Sequence, residues 1–328
     1  MTMPRNAWLM VCVILTTLGT SSVSSQPAAT GSGTSFPTKP IRIVASPPGG
    51  SIDFAARLVA QGLASSAGWQ VVVDNRPTGF IQGQIVTQAP ADGHMLLIAG
   101  SSFWTAPLLQ KSPYDVFNDF SPIIVVEKSP NVVAVHPSLP AKSIKELIVL
   151  ARARPGQLNY GSSGTGASNH LAAELFKAMA AVNIVQVNYK GGGPAISGLV
   201  SGEVEVMFAS TASVAPHVKS GKLRALAVTS AQPSALAPGL PPIATSGVPG
   251  YDSVGATSIF GPAKIPAAVI SRLNQEIARA ISQPDIKEKF LGAASEIAPG
   301  TPEDLLALMK SDTVKMGKVI KDAGIRAE

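Results

Sequence analysis

Two glycine-rich breaks carry the residue types best suited to hold an anion. Ser46-Pro47-Pro48-Gly49-Gly50-Ser51 follows an apolar run at 41–44, and Gly161-Ser162-Ser163-Gly164-Thr165-Gly166 precedes a stretch of helical character from Asn169. The first turn of a helix leaves amide N–H groups unpaired, and the helix dipole adds partial positive charge there. Glycine lets a ligand approach those amides closely. Either break alone could be a plain strand-to-helix turn. As a pair they point to an anion held between two halves of the molecule by backbone donors.

Other chemistries fit these residues less well. The segment 161–168 lacks the lysine that a P-loop places on terminal phosphates, and Gly164-Thr165-Gly166 reaches Asn169 without the third glycine of a dinucleotide fingerprint. No serine has glycine two residues before and two after it, as a nucleophile elbow requires. His94, His136, His170 and His217 are far apart; His170 and Glu174 share a helix face but have no evident third ligand, so no metal is expected. Asp53 and Arg57, four apart on the first helix, read as an ion pair with each other rather than as ligand contacts. Phe103 and Trp104 either wall a cleft around an apolar or aromatic acid or pack a lobe, and the sequence leaves both open.

These residues need a scaffold of alternating strands and helices. Strands are expected at 41–45, 71–73, 95–99, 123–127, 131–135, 184–188, 204–208 and 223–229, with 159–160 leading into the second break. Helices are expected over 52–67, stopped by Gly68, over about 143–154 from a Ser143-x-x-Glu146 capping box, and over about 169–181. The end of the chain is helical: 266–282 has apolar residues at a helical period, and Thr301-Pro302-Glu303-Asp304 is a helix start. Such alternation predicts an α/β fold with mainly parallel sheets covered on both faces.

The order of short motifs resembles the substrate-binding proteins of tripartite tricarboxylate transporters, the Bug or TctC-like family. The likeness runs from about residue 39 to the end. It is carried by Pro47-Pro48-Gly49-Gly50 with Asp53 and Arg57, Asn75-Arg76-Pro77, Ala91-Asp92-Gly93 and Pro113-Tyr114-Asp115. Further motifs are the 137–143 segment, Leu158 to Gly164, His170-Leu171-Ala172, Tyr189-Lys190-Gly191 and the 221–229 segment. The resemblance implies a type 2 periplasmic binding protein of the Venus-flytrap kind, two α/β lobes joined by two extended strands. It places residues 39–130 with 256–328 in the first lobe and 131–255 in the second, with crossings near 128–135 and 253–261. It implies ligand contacts from Pro48, Gly49, Gly50, Ser51, Ser101 and Ser102 on the first lobe. From the second come Ser162, Gly164, Thr165, Ser168, Gly192 and Ser210. The implied function is capture of a small organic carboxylate, without catalysis or cofactor, by a monomer that serves large and small membrane permease subunits. A ligand-sensing receptor and an exported α/β hydrolase using Ser162 or His170 are the alternatives. The chain departs from the family pattern at Ala45-Ser46, in a shorter 78–83 loop, and at Ala209-Ser210.

The ends and the charge agree with export. Residues 1–26 read as a signal peptide: Arg5, an apolar stretch, then small residues near Ser25. Residues 27–38 read as a flexible leader, and periplasmic localisation follows. Cys12 is the single cysteine, so cleavage near Ser25 leaves none. The 328 residues carry 26 basic and 20 acidic side chains, a net charge of +6 without any basic run. That scatter argues against nucleic acid as a partner.

Overall fold

The computed structural model describes residues 36–77 and 79–325. The expected signal peptide, Cys12 and most of the expected leader lie outside them. From the N-terminal side come β1 (Ile41–Ala45), α1 (Ser51–Ala67), β2 (Val71–Asn75), α2 (Ile81–Thr87), β3 (Met95–Gly100), α3 (Ser102–Thr105) and β4 (Phe120–Val135). The middle supplies α4 (Ile144–Ala153), β5 (Asn159–Ser162), α5 (Ser168–Ala180), β6 (Val185–Asn188), α6 (Gly192–Ser201), β7 (Val206–Ser210), α7 (Thr211–Lys219) and β8 (Arg224–Val228). The chain then forms β9 (Val254–Pro262), α8 (Ala267–Ile281), α9 (Pro284–Gly292), β10 (Glu296–Ile297) and α10 (Pro302–Asp322).

Local chemistry accounts for the main boundaries. In β1, Ile41, Ile43, Val44 and Ala45 are buried, as expected for a strand covered on both faces. α1 stops where Gly68 takes a left-handed conformation, φ +67°, that a β-carbon would strain. α8 buries Leu273, Ile277 and Ile281 along one face, the period read from the sequence. At the start of α10, Thr301 and Asp304 form a reciprocal capping box. The box expected at Ser143 is only half made: Ser143 accepts from Glu146 N–H, but the Glu146 carboxylate accepts from Lys142 N–H.

Two sheets are joined through β4. In the first, β2, β1 and β3 are parallel, and β9 lies between β3 and β4, antiparallel to both. In the second, β7, β5 and β6 are parallel, with β4 antiparallel to both β7 and β8. The changeover falls at Pro130 and Asn131: Pro130 is paired with Val254 in the first sheet, and Asn131 with Ser210 in the second. The expected pair of extended pieces around Ser129-Pro130 is therefore one continuous strand. β9 enters the first sheet alongside it, and these two strands join the lobes.

Apolar side chains fill both lobes. Ile43, Leu63, Ile124, Ile259 and Ile277 belong to one cluster of the first lobe, and Val133, Phe176, Phe208 and Tyr251 to a cluster of the second. α10 serves both sheets. Leu305 and Met309 pack with Trp104 and Phe260, whereas Met316, Val319 and Ile320 pack with Phe176 and Tyr251. Lys315 Nζ also donates to the Asp252 carbonyl at 2.7 Å. No helix among the described residues is long and apolar enough to cross a membrane.

Candidate functional site

Where the two sheets meet, a cavity of about 610 Å³ opens between the lobes. Ser51 and Ile52 reach it from the start of α1, and Gly100, Ser101 and Ser102 from the end of β3. Across from them stand Gly166, Ala167 and Ser168 at the start of α5, and Ser210 with Ala212 at the start of α7. The joining strands add Glu127, Ser129, Asn131 and Thr257, and the C-terminal region adds Ser295, Asp312 and Met316. Among the described residues, no lysine, arginine or histidine lines the cavity.

Its donors are therefore amides and hydroxyls. The first helical bond of α1 runs from Phe54 N–H to the Gly50 carbonyl, so the amides of Ser51, Ile52 and Asp53 precede the helical ladder. In α5 that bond runs from Leu171 N–H to the Ala167 carbonyl, which leaves the Ser168 and Asn169 amides ahead of it. The His170 amide is taken by Asn169 Oδ1 at 2.9 Å. Partial positive charge at these helix starts suits a carboxylate.

Each loop is shaped from behind by a buried polar side chain. Asp53 accepts from Gly49 N–H at 3.0 Å, from Arg57 Nε at 3.1 Å and from Asn75 Nδ2 at 2.8 Å. Asn75 Nδ2 also donates to the Ser46 carbonyl. The Arg57 guanidinium in particular holds the Asp53 carboxyl down at about 2. Asp53 and Arg57 thus form the expected ion pair. The Gly49 amide, with φ +88°, is spent on Asp53 and not on the cleft. In the second loop His170 Nδ1 accepts from Gly166 N–H at 3.0 Å, and Ser163 Oγ donates to Asn169 Oδ1 at 2.9 Å. Burial pushes the His170 pKa down, which keeps the ring an acceptor. Glu174, the one conceivable co-ligand, accepts from Tyr160 Oη and Lys177 Nζ. Among the described residues no group of three or more His, Cys, Asp or Glu could hold a metal ion.

Of the residues expected to touch ligand, Ser51, Ser101, Ser102, Ser168 and Ser210 line the central cavity. Gly49 and Gly50 line an adjoining hollow of about 280 Å³, which shares Ser51, Glu127 and Ser295 with it. Pro48, Ser162, Gly164, Thr165 and Gly192 do not line the central cavity. Ser162 is fully buried, donating to Asn188 Oδ1 and accepting from Gln186 Nε2. Phe103 and Trp104 both pack in the first lobe, in one cluster with Phe120 and Phe260, and neither lines the central cavity. Trp104 is 1% exposed, and Phe103, also buried, borders with Phe80 and Tyr114 a separate pocket of about 240 Å³.

The fold and the site can now be set beside known proteins. The family model described as "Tripartite tricarboxylate transporter family receptor" matches residues 55–325. The chain belongs to that family. Within it, the chain is similar to a UPF0065 protein in the tcbD-tcbE intergenic region of Pseudomonas sp. strain P51, 37% identical over 89% of this chain and 88% of the other. Among solved structures, the R. palustris protein Rpa4515 with adipate is 34% identical with a TM-score of 0.72, covering 89% of this chain and 99% of that one. The periplasmic binding protein BugD is 28% identical with a TM-score of 0.68, covering 89% and 100%. This receptor therefore has the two-lobed architecture of solute-binding proteins.

Sequence reasoning missed Glu127, Ser129, Thr257, Ser295 and Asp312. One signal was present: Glu127 interrupts a run of apolar strand residues at 123–126, and a charge there demands partners.

Proposed function

We infer that this receptor is a periplasmic protein that captures a small organic carboxylate between its lobes and presents it to a permease. One observation carries the reading: the starts of α1, α5 and α7, from both lobes, converge on one cavity that no cationic side chain among the described residues lines. Contacts from two lobes favour the closed state over the open one, and that difference sets the population shift. Residues 39–130 with 256–328, and 131–255, are the moving bodies in this reading, with β4 and β9 as the hinge. The adipate bound by the R. palustris relative supports the ligand class. The apolar N-terminal sequence and the periplasmic description of BugD support the compartment. Binding without chemistry, delivery to one large and one small permease subunit, and action as a single copy belong to the same reading.

Thermal unfolding against a panel of small carboxylates tests it. Ligand at 100 times Kd should stabilise the protein by about 2.7 kcal/mol. If no acid raises the melting temperature while ester or amide substrates are hydrolysed, the receptor reading fails.

A further inference from the structure

The central cavity is polarised, and its second pole has an acceptor character that a simple dianion does not match. Glu127 is 5% exposed and lies on β4 where the lobes join. Thr257 Oγ1 donates to Glu127 Oε1, and Ser129 Oγ donates to Glu127 Oε2 at 2.7 Å. Ser129 Oγ and Ser295 Oγ lie 2.8 Å apart. A hydroxyl has one proton to give. Ser129 spends its proton on Glu127, so Ser295 must donate to Ser129. All four residues line the cavity, and all three hydroxyl protons point inward along the chain that ends on the carboxylate. These four side chains offer a ligand lone pairs only, and Asn131 beside them adds an amide that can donate or accept. Asp312 also lines the cavity, but it accepts from Trp104 Nε1 at 3.3 Å and has Lys315 Nζ at 3.7 Å, so Glu127 is the carboxylate left without a cation. The starts of α5 and α7, which do not border the smaller hollow that Glu127 and Ser295 share with Ser51, bring amide N–H groups together with the Ser168 and Ser210 hydroxyls.

We propose that the ligand of this receptor is a zwitterion: its carboxylate lies at the starts of α5 and α7, and an ammonium at its far end lies against Glu127, Ser129 and Ser295. This rests on the carboxylate-capture reading and narrows it. A linear dicarboxylate of the same length would bring a second anion to buried Glu127 with no cation among the described lining residues, and desolvation removes the screening that would make this tolerable. An ammonium has three protons to give and neutralises the acidic wall.

Calorimetry on the purified protein with matched acids separates the possibilities. The probes are 4-aminobutanoate, pentanoate and glutarate, which share a chain and differ only in a terminal ammonium, methyl or carboxylate, together with the same three types one and two carbons longer. The expected result is that the best ω-amino acid binds at least tenfold more tightly than the dicarboxylate and the methyl-ended acid of its length. In Glu127→Gln that preference should fall at least tenfold. A dicarboxylate or methyl-ended acid that binds as tightly as its amino partner overturns the proposal and leaves carboxylate capture standing. A preference that survives Glu127→Gln unchanged also overturns the assignment to this wall. Silence from every acid overturns both readings. Should Glu127→Gln fail to fold, the ranking on the native protein decides alone.

Discussion

Replacing Asp53 by asparagine tests whether a buried carboxylate builds the first glycine loop. Arg57, Asn75 and the Gly49 amide all donate to Asp53, which is 4% exposed. Its pKa is held at about 2 against the ordinary 3.8. At about 1.4 kcal/mol per tenfold change in proton affinity, the ionised group favours the folded state by about 2 kcal/mol. The Arg57 side chain is 55% exposed, and solvent screening of such a pair lowers the figure to about 1 kcal/mol. The folded-state pKa is depressed, so the contribution is complete above the unfolded value of 3.8 and is lost as pH falls through about 2. Urea unfolding at pH 7, 4 and 2.5 provides the assay. Asp53→Asn should be less stable by about 1 kcal/mol at pH 7, with the gap closing toward pH 2.5. A gap of constant size across that range would refute the argument, because the contribution would then owe nothing to ionisation.

Gly62 faces the carbonyl of Ala280 on α8, where a β-carbon would lie 2.8 Å from the oxygen. Gly62→Ala should therefore lower stability by about 1–3 kcal/mol, against the gain of about 1 kcal/mol that helix propensity alone would give; chemical denaturation reads the sign. Thr301→Ala removes the cap of α10 and should lower the denaturation midpoint by the equivalent of about 1 kcal/mol, with the slope unchanged. His170 is buried with a lowered pKa, so the unfolded chain takes up its proton first, and stability should fall as pH drops below about 6.5. In His170→Asn, whose amide oxygen can still accept from Gly166 N–H, melting curves should show a shallower loss over that interval.

What the sequence revealed was mostly local. β1, the Gly68 stop of α1 and the Thr301 cap each depend on residues a few positions apart, so composition and spacing located them. α2 was invisible because Gly79 and Gly83 suggested a loop. The structure gives Gly83 a different reason: the ring of Tyr114 occupies the space of its β-carbon. Pro130 suggested a break in β4, yet the strand continues because the missing N–H falls where the strand passes from one sheet to the other. For the site, the two loops were legible as potential donors, but which amides remain available was not. That depends on Asp53 capturing Gly49 N–H and on His170 capturing Gly166 N–H. The acceptor wall needs Glu127, Thr257 and Ser295 brought together from distant parts of the chain, and no spacing rule encodes that meeting.

The long terminal helix α10 has a mechanical consequence. It is wedged into both halves of the protein, and its Asp312 and Met316 line the central cavity. A jaw cannot swing wide without prying Met316, Val319 and Ile320 off their bed or dragging the whole rod along. Some resistance to gaping is thus built in before any cargo arrives. Grip strength should then respond to changes in this rod's outer turns, well away from the mouth that cargo enters.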